Sequence, residues 1–177
     1  MATINLSWTP SNDANSTGQR VQRKSGAGSF ADIGSILSAS ASTYSDTTAV
    51  DNVLYTYQIV NICAVGGPTD STDVQAGKAV CPTVSEGVVG TAVTLTFPTL
   101  TGNAVYQGNV DVTGIGLFPS GNTAAGFVVN FNGAYSNTYQ YNYSVVVGTN
   151  VATCTDAVAV GPQPPCPAPT GLSAVVS

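Results

Sequence analysis

Apolar and polar positions alternate with a period of two through much of this chain, and short clusters of glycine, proline, asparagine and serine interrupt the alternation. Residues 4–8, Ile-Asn-Leu-Ser-Trp, are the first such run, the pattern of a strand with one face buried. The same reading predicts strands over residues 19–23 (with Val21 inward), 30–37 and 43–46. Residues 53–64 are the strongest candidate and carry Tyr55, Tyr57 and Ile59 on one face. Gly66-Gly67-Pro68 turns the chain, and residues 74–81 return. Further on, residues 88–97, 105–118, 127–131 and 138–147 qualify, the last with Tyr139, Tyr141 and Tyr143 on one face. Helical periodicity is almost absent.

Composition narrows what such a β-chain does. The 43% hydrophobic content suffices for packed cores, yet only 7% of residues are charged, so the polar surface must come from Ser, Thr, Asn and Gln. The net charge of −5 argues against a nucleic-acid partner, whose phosphates require clustered Lys and Arg. All four cations (Arg20, Arg23, Lys24 and Lys78) lie in the first half. No histidine is present, which removes the commonest general base and the commonest metal ligand. The closest carboxylates, Asp70 and Asp73, sit in a segment whose Asp and Ser residues suit a turn. The chain is therefore expected not to be an enzyme and to hold no cofactor or metal. No apolar run is long enough to span a membrane. A Ser/Thr/Asn surface of this kind predicts an extracellular or cell-surface location.

Four cysteines, Cys63, Cys81, Cys154 and Cys166, admit three pairings. Sequence proximity favours two local disulfides, Cys63–Cys81 and Cys154–Cys166, with free buried thiols as the other reading. Asn5, Asn15 and Asn142 each begin an Asn-x-Ser/Thr triplet and are candidate glycan acceptors, with Asn15 in a loop. Thr170, among prolines, is a candidate for O-linked sugar. Ordinary surface asparagines account for the triplets equally well. Tyr135, Tyr139 and Tyr141 suggest a sugar-stacking platform, although such a stripe usually packs a core.

Leu6-Ser7-Trp8-Thr9-Pro10, Val21-Gln22-Arg23, Tyr55-Thr56-Tyr57-Gln58-Ile59 and Gly66-Gly67 together resemble a fibronectin type III domain of the bacterial kind. The resemblance covers residues 4–80 and implies that Trp8 is a core residue and that Tyr55 makes a corner hydrogen bond. It departs at the cysteines and at Asn61. The family often begins with Pro-x-Pro-x-Gly-Leu-x-Ala, and that phrase stands here at the far end, as Pro167-Ala168-Pro169-Thr170-Gly171-Leu172-Ser173-Ala174.

The expected fold class is all-β, with two tandem immunoglobulin-like β-sandwiches. The first, residues 1–81, is fibronectin type III-like and lacks its own first strand. The second spans residues 82–161, and residues 162–177 form a proline-rich linker and a C-terminal donor strand. Leu172, Ala174 and Val176 share one face and are the expected anchors. Two sandwiches end to end would separate donor from acceptor by roughly 50 Å, whereas residues 161–170 extend at most about 30 Å. Donation to another copy, or to a covalently following repeat, is therefore expected over self-completion. The expected function is a structural subunit of an extracellular filament or pilus-like fibre, polymerising head-to-tail with copies of itself and carrying glycans. The alternative is a binding or spacer module of a secreted adhesin or polysaccharide-degrading enzyme.

Overall fold

A computed structural model describes residues 2–165. The chain is all-β, and no helix occurs among the described residues. The strands of the N-terminal half are Ala2–Ser7 (β1), Ser16–Ser25 (β2), Ala31–Asp32 (β3), Thr43–Ala49 (β4), Tyr55–Cys63 (β5), Thr69–Asp70 (β6) and Val74–Ala76 (β7). Those of the C-terminal half are Ser85–Val89 (β8), Ala92–Phe97 (β9), Val105–Val112 (β10), Gly116–Pro119 (β11), Phe127–Asn132 (β12), Thr138–Val147 (β13) and Asn150–Ala159 (β14). The two sets share no sheet.

Each half stacks two antiparallel sheets as a β-sandwich. In the C-terminal half the orders are β8-β9-β12 and β11-β10-β13-β14. In the N-terminal half β1 pairs with β4, while β3, β2 and β5 form the facing sheet, with β6 and β7 successively on the outer edge of β5. Expected strands over residues 88–97 and 105–118 each prove to be two strands. Gly90, at φ +62°, opens the tight turn between β8 and β9, and Gly114, at φ +79°, stands in the turn between β10 and β11. Left-handed backbone of this kind costs glycine least. Residues 30–37 yield only the two-residue β3, and residues 74–81 only β7. β14 carries no clear alternation in the sequence, because only Cys154 and Val158 of its ten residues are buried.

The two cores differ in completeness. Phe97 centres the C-terminal core, stacked on Phe127 with ring centroids 4.4 Å apart and meeting Tyr106 and Tyr143 edge-on at 5.8 and 5.1 Å. Tyr141, Val110, Val112 and Val145 are wholly buried around it. The N-terminal cluster is far smaller: Ala2, Ile4, Ala49, Tyr55 and Tyr57 are buried, with Leu6 and Val53 only partly covered. The Tyr55 hydroxyl accepts the Val50 N–H at 3.3 Å, bracing the β4–β5 connection.

The halves meet at the β4–β5 connection. Asn52, at φ +64°, accepts the Asn103 N–H on its carbonyl at 2.8 Å and the Val80 N–H on its side chain at 2.9 Å. Asn150, where β14 begins, donates its amide to the Gly77 carbonyl at 2.7 Å. β14 thus starts at the junction and leads away from it. β1 and β5 lead away on the other side, because Thr3 lies beside Val151 and Leu54 is bonded to Asn103.

Candidate strand-accepting groove

β1 and β9 occupy the same place in their respective halves. β9 is flanked by β12 on one edge and β8 on the other. β1 is flanked by β4 alone, and among the described residues no strand pairs with its second edge. The Trp8 N–H extends the β1–β4 ladder by donating to the Ser42 carbonyl at 2.9 Å. An unpaired edge presents alternate N–H and C=O groups to any chain that comes alongside.

A groove follows that edge for its whole length. Three hollows of about 380, 370 and 210 Å³ adjoin one another, the first two sharing Asn5 and Ala76 and the last two sharing Trp8, Ile59 and Ser71. One wall is β1, through Asn5 and Leu6, with Trp8 just after it, and the other is β5 with β7, through Ile59 and Val74. At the junction end lie Thr3 and Val151, and at the far end Asn61 and Asp70. The groove explains the thin core. Tyr55, Tyr57 and Ile59 do share a face, but only the two tyrosines are buried, and Ile59 stands half-covered beside Val74, which is 53% exposed. Trp8, the expected core residue, is likewise half-buried.

Polar anchors hold the groove open in one shape. The Trp8 indole N–H donates to Gln19 Oε1 at 2.7 Å, and the buried Gln19 donates its amide to the Ala39 carbonyl at 2.7 Å. Tyr57, whose ring lies in the groove floor, donates its hydroxyl to buried Asp46 at 2.9 Å. Asp46 also accepts from Arg23 at 2.5 Å and from the Thr48 N–H and hydroxyl at 2.9 and 2.7 Å. Burial pulls the Asp46 carboxyl upward, but these donors outweigh burial and hold it below the usual carboxylate range. Burial, reinforced by Asp46, pushes the Tyr57 hydroxyl far above its ordinary value. A buried carboxylate with four donors is satisfied, so its role is to fix the Tyr57 ring.

The cysteines pair differently from the expectation. Cys81 is bonded to Cys154, with Cα atoms 5.7 Å apart, so neither local disulfide is formed by these two residues. β14 runs antiparallel to β13 and brings Cys154 against the segment that precedes β8, a contact across a sequence separation of 73. Cys63, at the end of β5, is free and partly exposed. Cys166 lies outside the described residues, as do Leu172, Ala174, Val176 and Thr170.

Asn15 is exposed in the β1–β2 loop, where its N–H donates to Asp13 Oδ1 at 2.9 Å. Asn5 is exposed on β1 and accepts the Ser45 hydroxyl at 2.8 Å. Asn142 is half-buried in mid-sheet and accepts the Thr155 hydroxyl at 2.7 Å. Of the three, Asn5 and Asn15 are exposed, and only Asn15 lies outside a strand. The tyrosine platform does not form: Tyr141 is fully buried and Tyr139 packs edge-on against Phe131 at 5.5 Å. Asp70 is the second residue of β6, and Asp73 lies 4.0 Å from Lys24. Among the described residues no cluster of three metal-ligating side chains occurs, and no helix is long and apolar enough to cross a membrane.

The chain matches no protein-family model and no curated protein sequence. Its functional reading therefore rests on the groove.

Proposed function

We propose that the chain is a structural subunit of an extracellular filament, assembled head-to-tail by residues 170–177 of one copy entering the groove beside β1 of the next. The observation that carries this reading is the unmatched edge of β1, in a chain whose other half fills the corresponding place with β8. We read residues 1–81 as a fibronectin type III-like domain and residues 82–161 as a second sandwich. The sheet orders and the Tyr55–Val50 hydrogen bond support that division.

Polarity supports donation to a neighbour. β8 runs antiparallel to β9, so a strand entering beside β1 in the same sense starts at Trp8 and runs toward the junction. The chain leaves the C-terminal half at Gly161, whose carbonyl accepts the Ser136 N–H at 3.0 Å, beyond the far end of β14. To turn back, it would retrace the ten residues of β14 and then the six of β1, a path of roughly 54 Å at about 3.4 Å per strand residue. Residues 161–171 span at most about 35 Å when fully extended. The next copy presents its groove mouth at the pole where this copy's tail departs, so no such path is needed.

Leu172, Ala174 and Val176 would lie over Ile59, Val74 and Ala76, and each large aliphatic side chain so buried contributes about 1.5–3 kcal/mol. Backbone pairing to β1 adds affinity that is independent of sequence. Donor and acceptor surfaces differ, so the contact repeats without closing unless its rotation closes a ring. The disulfide supports an oxidising location, and Asn15 is the preferred glycan acceptor.

Deleting residues 170–177 is expected to give a folded, non-polymerising protein. A synthetic peptide of residues 167–177 added to it is expected to raise its melting temperature by on the order of 5–10 °C at saturation. Fibres that persist after the deletion would sink the mechanism. A full-length protein that stays monomeric and a truncated one that ignores the peptide would favour the spacer-module reading.

A further inference from the structure

The four cysteines divide unevenly. Cys81 and Cys154 satisfy each other, leaving Cys63 free and partly exposed. Cys63 ends β5 at the pole away from the junction, where it pairs with Ser16. Its neighbour Asn61 lines the mouth of the groove and points its amide at Cys63 Sγ, 3.5 Å away. A strand donated in the sense described above enters at that mouth.

The C-terminal half already contains the arrangement that this suggests. Cys81-Pro82 stands four residues before Ser85, the first residue of β8. Cys81 is bonded to Cys154 on the sheet that faces β8, so the strand is stapled in place just upstream of its start. Cys166-Pro167 stands four residues before Thr170, the first residue of the donor segment. Cys63, like Cys154, belongs to the sheet facing the accepted strand. The receiving strands differ, since Cys154 is on β14 and Cys63 ends β5.

On the basis of the donor-strand reading, we infer that Cys166 of one copy forms an intermolecular disulfide with Cys63 of the next, closing each junction covalently. Leu172 lies six residues beyond Cys166, a stretch that spans up to about 20 Å, ample to reach Cys63 from the groove mouth. The chemistry is thiol–disulfide exchange with a small-molecule or protein disulfide as oxidant. The Cys63 thiolate attacks that disulfide and releases one thiol. The Cys166 thiolate then displaces the second thiol and forms the Cys63–Cys166 bond. Both electrons and both protons end on the two released thiols.

The test is to polymerise the full-length protein in buffer containing glutathione disulfide, image it by negative-stain electron microscopy, and run it on non-reducing denaturing electrophoresis. A ladder of subunit multiples that collapses on reduction is expected. Cys63→Ser and Cys166→Ser are each expected to remain single bands, while an equimolar mixture of the two yields a covalent dimer and nothing larger. Filaments that dissolve wholly to monomer under non-reducing denaturation would overturn the disulfide and leave the donor-strand reading standing. Covalent dimers from either variant alone would also overturn it, since they require like-with-like pairing. The absence of filaments under every condition would remove the donor-strand reading, and the disulfide with it.

Discussion

Asn103 donates its backbone N–H to the carbonyl of Asn52 at 2.8 Å, and its side-chain oxygen accepts the N–H of Leu54 at 3.0 Å, so one asparagine of the C-terminal half clasps both sides of a left-handed turn in the N-terminal half. Asn52 reciprocates by accepting the Val80 N–H on its own side chain. The clasp sets the direction in which β1 and β14 diverge, and with it the separation of the groove mouth from Gly161 beyond the far end of β14.

Asn52→Ala removes the Val80 partner and places a residue with a Cβ but no polar side chain at φ +64°. A loss of about 2 kcal/mol is expected in denaturant titration. Asn52→Gly tolerates the backbone and is expected to lose about half of that. Equal losses from the two would show that the left-handed turn contributes nothing.

Cys81→Ser combined with Cys154→Ser opens a loop closed across 73 residues. Loop-closure entropy puts the expected cost at about 4 kcal/mol, before any change in native strain. Thermal unfolding with and without reductant checks it. Wild-type protein that melts identically in both conditions, with its thiols demonstrably freed, would contradict the estimate.

Val74→Lys separates folding from assembly. Val74 is 53% exposed, so the isolated subunit is expected to keep its stability within about 0.5 kcal/mol. In the groove, however, the ammonium would meet Leu172 and Val176, and polymerisation is expected to fail in light-scattering assays. Normal fibres from this variant would show that the donor does not lie over β7.

Asp46 makes the N-terminal half acid-sensitive. Its folded-state carboxyl lies below the unfolded value of about 3.9. The stability it contributes is thus present above about pH 4 and lost as pH falls through the folded value. Asp46→Asn is expected to flatten the acid limb of a stability–pH curve, and an unchanged limb would assign acid unfolding to other carboxylates.

The alkaline limb belongs to tyrosines. Burial raises Tyr57, Tyr141 and Tyr143, and lifts Tyr106 to about 12. Unfolded tyrosines ionise near 10, so stability is full below that pH and declines as pH rises toward the folded values. Tyrosinate absorbance is expected to appear together with unfolding. A gradual, non-cooperative rise would mean that these hydroxyls are open to solvent.

The pattern along the chain was enough to read the all-β class and the strands around Tyr55 and Tyr139. There, alternation, aromatic residues and bounding turns all agree, and each is local. It was not enough for β14, whose outward face is polar and whose buried residues are few. The groove was legible only as an orphaned phrase, Gly171-Leu172-Ser173-Ala174, set against a leading strand at Ile4. Its lining residues Ile59, Val74 and Asn61 carried no signal of their own, because half-burial has no composition.

Local backbone preference, one-face alternation and the roster of chemistry-bearing groups are properties of neighbouring residues, and the sequence by itself determined them. Which cysteines meet, which edge of β1 goes unpaired and which pole the tail leaves from depend on contacts between residues far apart in the chain. Proximity in sequence favours Cys63 as the partner of Cys81, and proximity in space bonds it to Cys154. Only the tertiary structure decided that, because strand pairing, rather than chain separation, sets which side chains come within a bond's length.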